Sequence, residues 1–580
     1  MKKLNLSWLR ILSFLTIMGL TVNVFGGSDP IWKATFTKSV KWMKVAPTGH
    51  LLVSTDEGLV GIDSETGGIL WTREDLKGLK DRPEKEFASW LEEFVPFTSF
   101  AVLRNFSGAK KKFKTSGMPY WITLINVVNG QDMWTTETMG FKDHYGYYFL
   151  PEIGGMFLYA KDKNKKKTAF VVDLASGKVI WQKRDFFKKR DPAKFDLFPP
   201  VKDTSQDPFF EDAGSSKKTI MGNQPPLFDT DETMITFMNK KAIRKFNAQT
   251  GELIWETAVK AKNPPAIQNG YAPMLLDENG DVLYAACAKT VYAVRPQDGS
   301  LIWEKPPKLK GGVSQMRLLP EGLMVKGARS DNDWVVAARG RPFVAVIDLA
   351  TGQPLWQKEY KKMKESTNFV IKDDKIVFYA YKKLYGINLA DGEYTVLAED
   401  LKFRGDEVPA SLLLRDDGYL LQSSNNLMLV SLNGEKVFHT YHEGPGLSWV
   451  EKVAADIMRN NVKKMTFPGW KTDVEDLQRN YPQWMQAAWK SKKMEKDMFY
   501  EYLSEIRFKE TKNRETYMYI LARIKTENEK GAGLIKVNKF TGETEDQIIL
   551  GTKEPVYEVD KIESRVFFKS GKQEIACYKF

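Results

Sequence analysis

The chain has 580 residues, a formal net charge of +12 at neutral pH and only two cysteines. A chain of this length can bury a sizeable core, which excludes the need for a disulfide framework. The positive charge lies mainly in short lysine clusters between predicted strands, which is typical of solvated hairpin tips. Anionic partners such as lipid head groups or acidic glycans remain an alternative for these clusters.

Residues 1–26 predict a secretory signal peptide, with three basic side chains and no acid before an apolar run from Ile11 to Phe25. This run of about 15 residues is shorter than the roughly 20 that a membrane span needs, and an uncleaved anchor remains the alternative. Removing the three basic residues lowers the formal charge from +12 to +9. No later stretch is apolar enough to span a membrane. We therefore expect residues 27–580 to form one exported domain that meets no nucleic acid.

From residue 31 onward one short unit recurs, and Ile347–Trp356 is its clearest copy. The apolar residues Val344–Ile347 predict a β-strand that ends at Asp348. Thr351-Gly352 then predicts a tight turn, because glycine adopts the positive φ that other residues resist. A second strand follows, and burying its Trp356 contributes about 2–3 kcal/mol. One hairpin cannot bury that ring alone, so the unit predicts an array of neighbouring copies.

The residue that ends the first strand, Asp348 in the copy above, is called the first motif residue. Six copies keep the same spacing of eight residues from the first motif residue to the tryptophan. The tryptophans predicted to dock against a neighbouring unit are Trp71, Trp134, Trp181, Trp255, Trp303 and Trp356. The corresponding turn glycines are Gly67, Gly130, Gly177, Gly251, Gly299 and Gly352. Three later copies lack the tryptophan, because Gly392 is followed by Val396, Gly434 by Phe438 and Gly542 by Asp546.

The two ends of the chain complement each other. Residues 31–36 predict a lone strand that carries Trp32, and the C-terminal residues predict a unit that stops before its last strand. We expect the N-terminal strand to complete that unit, with Trp32 as its docking residue, which would hide both edges. Nine internal motifs plus this closing unit predict ten units, each with four strands.

The recurring pattern of a small residue, Asp, Thr-Gly and Trp resembles the tryptophan-docking motif of pyrroloquinoline-quinone-like β-propeller repeats. That superfamily includes quinoprotein alcohol dehydrogenases and the propeller lipoprotein of outer-membrane β-barrel assembly. The resemblance covers about residues 31 to 580 and implies an all-β propeller of four-stranded blades, for which eight blades is the norm. It implies much less about function, because one propeller can host enzymes, scaffolds and binders.

Three insertions are predicted within the propeller. Residues 77–93 are expected to contain a short helical segment around Phe87–Leu91, and residues 184–226 a long loop rich in Pro, Asp and Phe. Residues 447–506 predict a helical insertion, because apolar side chains recur there at helical spacing. Its aromatic and methionine residues would either pack on the propeller or dock a protein or membrane interface.

The cysteines, histidines and acidic residues of the sequence do not form a recognisable catalytic or metal-binding motif. Cys287 and Cys577 are interpreted as buried strand residues, with a bridge between them as the alternative. His439 and His442 lie three residues apart, which places them on opposite faces of a strand and argues against a shared metal. The segment Asp277–Asp281 lacks the Glu that completes a calcium loop and predicts a hairpin turn. We assign no catalytic residue and no metal ligand.

Quinone-dependent dehydrogenases of the same superfamily typically carry adjacent cysteines, calcium ligands and a catalytic Asp. This chain has no adjacent cysteines, and the other positions find no residue-by-residue match. The cofactor-binding residues are therefore unassigned. We expect no cofactor, and pyrroloquinoline quinone with calcium remains the alternative.

The leading hypothesis is an exported, monomeric and non-catalytic propeller that binds a protein or a cell-envelope component, in the periplasm or after secretion. This hypothesis rests on the recurring propeller repeat and on the large predicted insertions, since binding residues usually lie in loops. The alternative is a quinone-dependent dehydrogenase, or a small-ligand binder, that uses the central channel.

Overall fold

A computed structural model gives the structure of the chain from residue 29 to 580. The described residues exclude 82–88, 96–97, 107–119, 142–143, 165, 185, 187–225, 237–241, 260–273, 288, 330–340, 362–365, 406, 410, 446–515, 526–529 and 553–554. The predicted signal peptide, nearly all of the loop 184–226 and the helical insertion 447–506 lie outside the described residues.

The described residues form ten antiparallel sheets, eight with four strands and two with three, which are the blades of a β-propeller. Blade 1 comprises β2 (Val40–Val45), β3 (Leu51–Thr55), β4 (Leu59–Ile62) and β5 (Ile69–Arg73). Blade 2 comprises β6 (Trp90–Phe94), β7 (Phe100–Phe106), β8 (Tyr120–Asn126) and β9 (Asp132–Thr135). Blade 3 comprises β10 (His144–Leu150), β11 (Gly155–Lys161), β12 (Lys167–Asp173) and β13 (Val179–Lys183). Blade 4 comprises β14 (Leu227–Thr230), β15 (Thr233–Thr236), β16 (Ala242–Asn247) and β17 (Leu253–Ala258).

The second half of the ring continues in the same order. Blade 5 comprises β18 (Met274–Leu276), β19 (Leu283–Cys287) and β20 (Thr290–Val294). Blade 6 comprises β21 (Gly312–Leu319), β22 (Gly322–Arg329), β23 (Arg341–Ile347) and β24 (Pro354–Glu359). Blade 7 comprises β25 (Phe369–Lys372), β26 (Lys375–Ala380), β27 (Lys383–Asn388) and β28 (Tyr394–Ala398). Blade 8 comprises β29 (Ser411–Arg415), β30 (Gly418–Gln422), β31 (Asn426–Ser431) and β32 (Lys436–Tyr441). Blade 9 comprises β33 (Tyr517–Lys525), β34 (Lys530–Asn538) and β35 (Thr544–Ile549).

Blade 10 joins the two ends of the chain, as predicted. It comprises β36 (Tyr557–Asp560), β37 (Arg565–Gly571), β38 (Glu574–Lys579) and the N-terminal strand β1 (Trp32–Thr35). β1 pairs antiparallel with β38, with Trp32 opposite Cys577. The prediction of ten units closed by the N-terminal strand is confirmed.

The first strand of each blade lies towards the centre of the ring, since first strands of neighbouring blades contact each other, as β2 and β36 or β25 and β29 do. The cores lie between blades. One core cluster joins Leu124 and Trp134 of blade 2 to Met156 and Phe170 of blade 3, all buried. Each blade thus buries its apolar face against the next, which is how a repeat that cannot fold alone becomes stable.

One secondary-structure prediction is wrong. The helix predicted around Phe87–Leu91 is absent from its described end, because Trp90 and Leu91 begin strand β6 and are buried; Phe87 and Ala88 lie outside the described residues. The helical spacing of apolar residues was outweighed by strand pairing with β7, because a short apolar run fits either structure and tertiary contacts decide. Two short 3₁₀ helices, Glu74–Leu76 and Pro151–Ile153, lie between strands. No helix among the described residues has the length and apolar character to cross a membrane.

Candidate interaction surface

The predicted tryptophans all lie at junctions between blades. Each indole N–H donates a hydrogen bond of 2.6–3.1 Å to a backbone carbonyl of the next blade. The donors Trp32, Trp71, Trp134, Trp181, Trp255, Trp303 and Trp356 bond, in that order, to Ser64, Val127, Leu174, Ala248, Pro296, Leu349 and Leu389. Every acceptor is the residue that follows the first residue of the next motif. Trp32 follows the same rule and joins blade 10 to blade 1.

Seven of the nine predicted turn glycines lie beneath these rings. Their φ angles are positive, for example +72° at Gly130. A Cβ at Gly130 would lie 2.6 Å from the indole of Trp71, and one at Gly251 would lie 2.7 Å from that of Trp181. Glycine is therefore required twice, for the backbone conformation and for the close approach of the ring. The turn glycines with positive φ are Gly67, Gly130, Gly177, Gly251, Gly299, Gly352, Gly392, Gly434 and Gly542.

The first motif residue shapes the turn. The carboxylate of Asp348 accepts hydrogen bonds of 2.6 Å from both the backbone N–H and the hydroxyl of Thr351. Asn247 accepts in the same way from the N–H of Thr250, at 2.8 Å. Asp and Asn side chains favour such turns because they bond their own backbone a few residues on. The hydroxyl of Thr351 also lowers the pKa of Asp348.

A second contact at these junctions was missed from the sequence. At three of these junctions the side chain two residues after the tryptophan donates to the carbonyl of the turn glycine in the next blade. Arg73 donates to Gly130 at 2.7 Å and Lys183 to Gly251 at 3.1 Å. A polar residue at this motif position was the available signal, and it recurs as Thr257 in blade 4.

The junctions after blades 7, 8 and 9 have no tryptophan, because Val396, Phe438 and Asp546 occupy its position. A Cβ at Gly434 would lie 2.1 Å from the carbonyl oxygen of Leu397, so blade 8 packs directly against the backbone of blade 7. Gly542 lies beneath the ring of Phe438. Val396, which occupies the tryptophan position of blade 7, is 41% exposed and contributes little to the junction.

Exposed apolar side chains recur on the outermost strands of the blades and, in blade 5, at Leu301, which forms an isolated bridge with Val294. They lie mainly one or two residues before the tryptophan position, and each is 41–58% exposed. We call this set the outer-strand belt; it consists of Ile69, Leu70, Val179, Leu253, Ile254, Leu301, Leu355, Tyr394, Val396 and Val437. Single exposed apolar residues are normal on a protein surface, but their recurrence at neighbouring motif positions in seven of the ten described blades makes this belt a candidate interaction surface.

A buried polar cluster lies between blades 2 and 3. Arg104 forms an ion pair of 3.0 Å with Glu92, and both side chains are almost fully buried. The guanidinium lies 5.9 Å from the ring centre of Trp90 and 5.8 Å from that of Tyr147, and the Tyr147 hydroxyl donates to Glu93. Burial disfavours the charged guanidinium, but Glu92, Tyr147 and Glu93 together outweigh burial and raise the pKa of Arg104.

Burial together with the two carboxylates raises the pKa of Tyr147 well above its ordinary value, so its hydroxyl stays a donor. Glu92 is the extra residue of a β-bulge in β6, between Leu91 and Glu93. The bulge turns this carboxylate inward, and nothing in the sequence marks it. The cluster joins blade 2 to blade 3 by polar contacts.

The two neighbouring histidines lie beside a second polar network. Nε2 of His439 lies 2.9 Å from Oδ1 of Asn426, which also accepts the backbone N–H of Arg404. The Asn426 amide donates to Glu407 at 2.8 Å. Because Oδ1 can only accept, the neutral imidazole of His439 carries its proton on Nε2. Burial, followed by the charges of Arg404 and Lys436, lowers the pKa of His439.

His442 bonds elsewhere, with Nε2 3.2 Å from the hydroxyl of Thr544 in blade 9. Burial lowers its pKa too. The two imidazoles therefore serve different contacts. Within the described part of the chain no three His, Cys, Asp or Glu side chains lie close enough to hold a metal ion.

The described cysteine side chain, that of Cys577, lies in the core. Cys577 is a free, fully buried thiol in β38, and burial raises its pKa to about 12. Cys287 ends β19. The bridge between them that the sequence left open is therefore not formed. The segment 277–281 forms the predicted hairpin turn, in which the Asp277 carboxylate accepts from the N–H of Asp281 and Val282.

Residues 121–395 match the family model described as outer membrane protein assembly factor BamB. No curated protein sequence matches the chain. Among solved structures, BamB from Moraxella catarrhalis is 14% identical, with 71% of this chain and 99% of that chain covered and a TM-score of 0.33. A computationally designed protein, Ika8, is 12% identical, with 71% and 100% covered and a TM-score of 0.29. Dihydro-heme d1 dehydrogenase NirN, in complex with DHE, is 8% identical, with 72% and 77% covered and a TM-score of 0.33.

Proposed function

We propose that this chain, a β-propeller of pyrroloquinoline-quinone-like repeats, is an exported, non-catalytic scaffold that binds another protein through the outer-strand belt. The observation that carries the proposal is the recurrence of exposed apolar side chains on the outermost strands. Apolar surface kept exposed at equivalent positions favours association, since covering it removes it from water.

Two further observations support the proposal. Residues 121–395 match a family described as an outer membrane protein assembly factor, a description that favours a protein partner. Residues 1–26 have the basic and apolar pattern of a signal peptide, which favours a location in the cell envelope.

The binding claim can be tested by placing a photo-crosslinking amino acid at Ile254, Leu355 or Val437 of the full chain in its own cells. The matched control is the same amino acid at Glu278, an exposed position in the turn between β18 and β19. We expect one discrete crosslinked protein, identifiable by mass spectrometry, at the belt positions and none at Glu278. Equal crosslinking at all four positions, or none at the belt, would contradict the proposal.

Location and chemistry are tested separately. The mature N-terminus, determined by mass spectrometry of the protein recovered from the envelope, should be Gly27. A chain that keeps residues 1–26 in the cytoplasm would refute export. Saturable thermal stabilisation by pyrroloquinoline quinone with calcium, together with reduction of an artificial electron acceptor by alcohols, would replace the scaffold by a dehydrogenase.

A further inference from the structure

The outermost strand of a blade is an edge strand, and proteins usually protect such edges. A β-bulge or a charged side chain within the strand prevents another chain from pairing with it. The nine outermost strands that the structure describes are β1, β5, β9, β13, β17, β24, β28, β32 and β35. These nine strands differ in where a β-bulge lies and in whether they contain a charged side chain.

The bulge is displaced in blade 7. In seven blades the register shifts at the start of the outermost strand, directly before the first motif residue. In blade 7 the pairs Ile387–Tyr394, Gly386–Thr395 and Tyr385–Val396 are regular, and the shift comes only after Val396. β28 therefore starts with a regular three-residue edge.

The charge is missing from the same strand. β28 reads Tyr-Thr-Val-Leu-Ala, whereas the eight other outermost strands described each contain at least one charged residue. β1, which has no register shift either, carries Lys33, and this lysine pairs with Glu574. β28 alone among these strands has no charged residue, and its register shift lies near its end instead of at its start.

The exposed side chains make this edge apolar and rigid. Tyr394 and Val396 are 48% and 41% exposed. The Tyr394 ring lies 6.4 Å from the ring of Tyr360 and 6.0 Å from that of Tyr385, in edge-to-face arrangements. The Tyr360 hydroxyl donates to the carbonyl of Gly392 at 2.6 Å, which fixes the tyrosine cluster to the turn before β28. A preformed edge loses little entropy when a partner strand binds.

The charges at both ends of β28 identify the partner's chemistry. Asp391 and Glu393 precede the strand, and Glu399 and Asp400 follow it. Lys358 pairs with Glu393 and Lys383 with Glu399, whereas neither Asp391 nor Asp400 forms an ion pair with another described residue. A second copy of β28 would place carboxylates against carboxylates in either orientation, and like charges opposite each other are destabilising.

We propose that the free edge of β28 is where an extended segment of the partner adds to blade 7 as a fifth strand. The segment has alternating apolar residues, which pack beside Tyr394 and Val396, and basic residues at its ends, which meet the carboxylates. Backbone hydrogen bonds supply affinity, and the flanking charges fix the position along the strand. This inference rests on the proposed function and names the surface and the partner's chemistry.

The probe is a labelled synthetic peptide with an alternating Val-Thr core and two lysines at each end, titrated against the mature protein. We expect saturable binding that weakens at higher salt, and protection of the β28 amides from hydrogen exchange. Val396→Lys, which places on β28 the charge that the other strands carry, should weaken binding at least about tenfold. The matched control is Thr72→Lys on β5, a strand that already has a bulge and Arg73, and because the exposed Thr72 lies outside the outer-strand belt this variant should leave the affinity unchanged.

A peptide with glutamates in place of the lysines should bind at least about tenfold more weakly than the basic one. The inference is overturned if the basic peptide does not bind, if both peptides bind equally, or if the two lysine variants behave alike. Its failure is separable from that of the proposed function. If the belt crosslinks persist in Val396→Lys, the scaffold stands and the β28 edge is wrong; if no belt position crosslinks, the scaffold itself fails.

Discussion

The junctions of this ring are of two kinds, and the difference shows how a repeat protein tolerates degenerate copies. From blade 10 through blade 1 to blade 7, each junction has an indole ring over a glycine and one N–H bond to a carbonyl. The junction between blades 8 and 9 has Phe438 over Gly542 instead, and a phenyl ring donates no hydrogen bond.

Several polar contacts replace the missing bond between blades 8 and 9. Arg415 donates to the carbonyl of Lys539 and lies 4.2 Å above the ring of Phe540. The Asn425 amide donates to the carbonyl of Leu521 at 3.1 Å, and His442 lies 3.2 Å from Thr544. At the junctions with an indole ring, a single tryptophan of the repeated motif makes the contact between blades. Between blades 8 and 9 several polar side chains outside the motif make it instead.

The largest expected effect separates the two kinds of junction directly. Trp181→Ala should lower the free energy of unfolding by about 3–5 kcal/mol, because it removes a buried ring and leaves a cavity. Phe438→Ala should cost clearly less, since its ring is only half-buried and the polar contacts remain. Urea unfolding of both variants measures the difference. Equal losses would mean that the tryptophan is not what distinguishes these junctions.

A smaller effect tests the glycine beneath the ring. Gly251→Ala should destabilise by about 2–3 kcal/mol, because its φ is positive and its Cβ would overlap Trp181. Gly280→Ala is the matched control, with a similar φ of +76° and no neighbouring atom within 4 Å. It should cost only about 1 kcal/mol, for backbone strain alone. If both variants lose the same stability, the ring does not require the glycine.

The next prediction concerns Glu558 at the junction of blades 10 and 1. Burial raises its pKa to about 7, although the N–H of Val45 and the charge of Lys44 oppose the shift. Between pH 4.5 and 7 the folded protein holds a proton that the unfolded chain has released. The free energy of unfolding should therefore fall as pH rises through this interval.

Glu558→Gln, which keeps the shape and cannot titrate, should remove that slope. The measurement is the unfolding midpoint of both proteins from pH 4.5 to 8. Parallel pH profiles for the wild type and the variant would show that Glu558 does not control this junction.

The smallest expected effect has the opposite sign and belongs to the junction of blades 8 and 9. Burial lowers the pKa of both His439 and His442 below the ordinary 6.5. As pH falls below 6.5 the unfolded chain takes up protons before the folded one does, so stability should decline. His442→Gln should shallow this decline, and thermal unfolding from pH 5 to 7 checks it. If stability declines equally in the variant, the protonation of His442 does not cause the loss of stability at low pH.

Much of the fold could be predicted from the sequence because its signals are local. Asp348, Thr351 and Gly352 bond within one turn, so residue type and spacing suffice to place them. The unit that contains Gly542 is likewise predicted from its Thr-Gly turn. The segment around Trp90 was mispredicted because a short apolar run has no preferred period.

The candidate surface could be predicted only in part. Apolar residues one or two places before the tryptophan are visible in the sequence, as in Ile254 or Leu355, but their exposure is not. The buried pair of Glu92 and Arg104 had no signal, since a bulge turned the carboxylate inward and strand pairing brought the arginine beside it. The accessible edge of β28 likewise depends on where a register shift falls.

The sequence by itself determined the repeat, its turn glycines and tryptophans, and the way the N-terminal strand completes the last blade. These features depend on contacts within one hairpin or on counting strands. The tertiary structure alone decided which carbonyl each indole meets, 32 to 67 residues away along the chain, and where each bulge lies. The physical reason is that such contacts form across blades, where packing and strand register, and not local propensity, set the geometry.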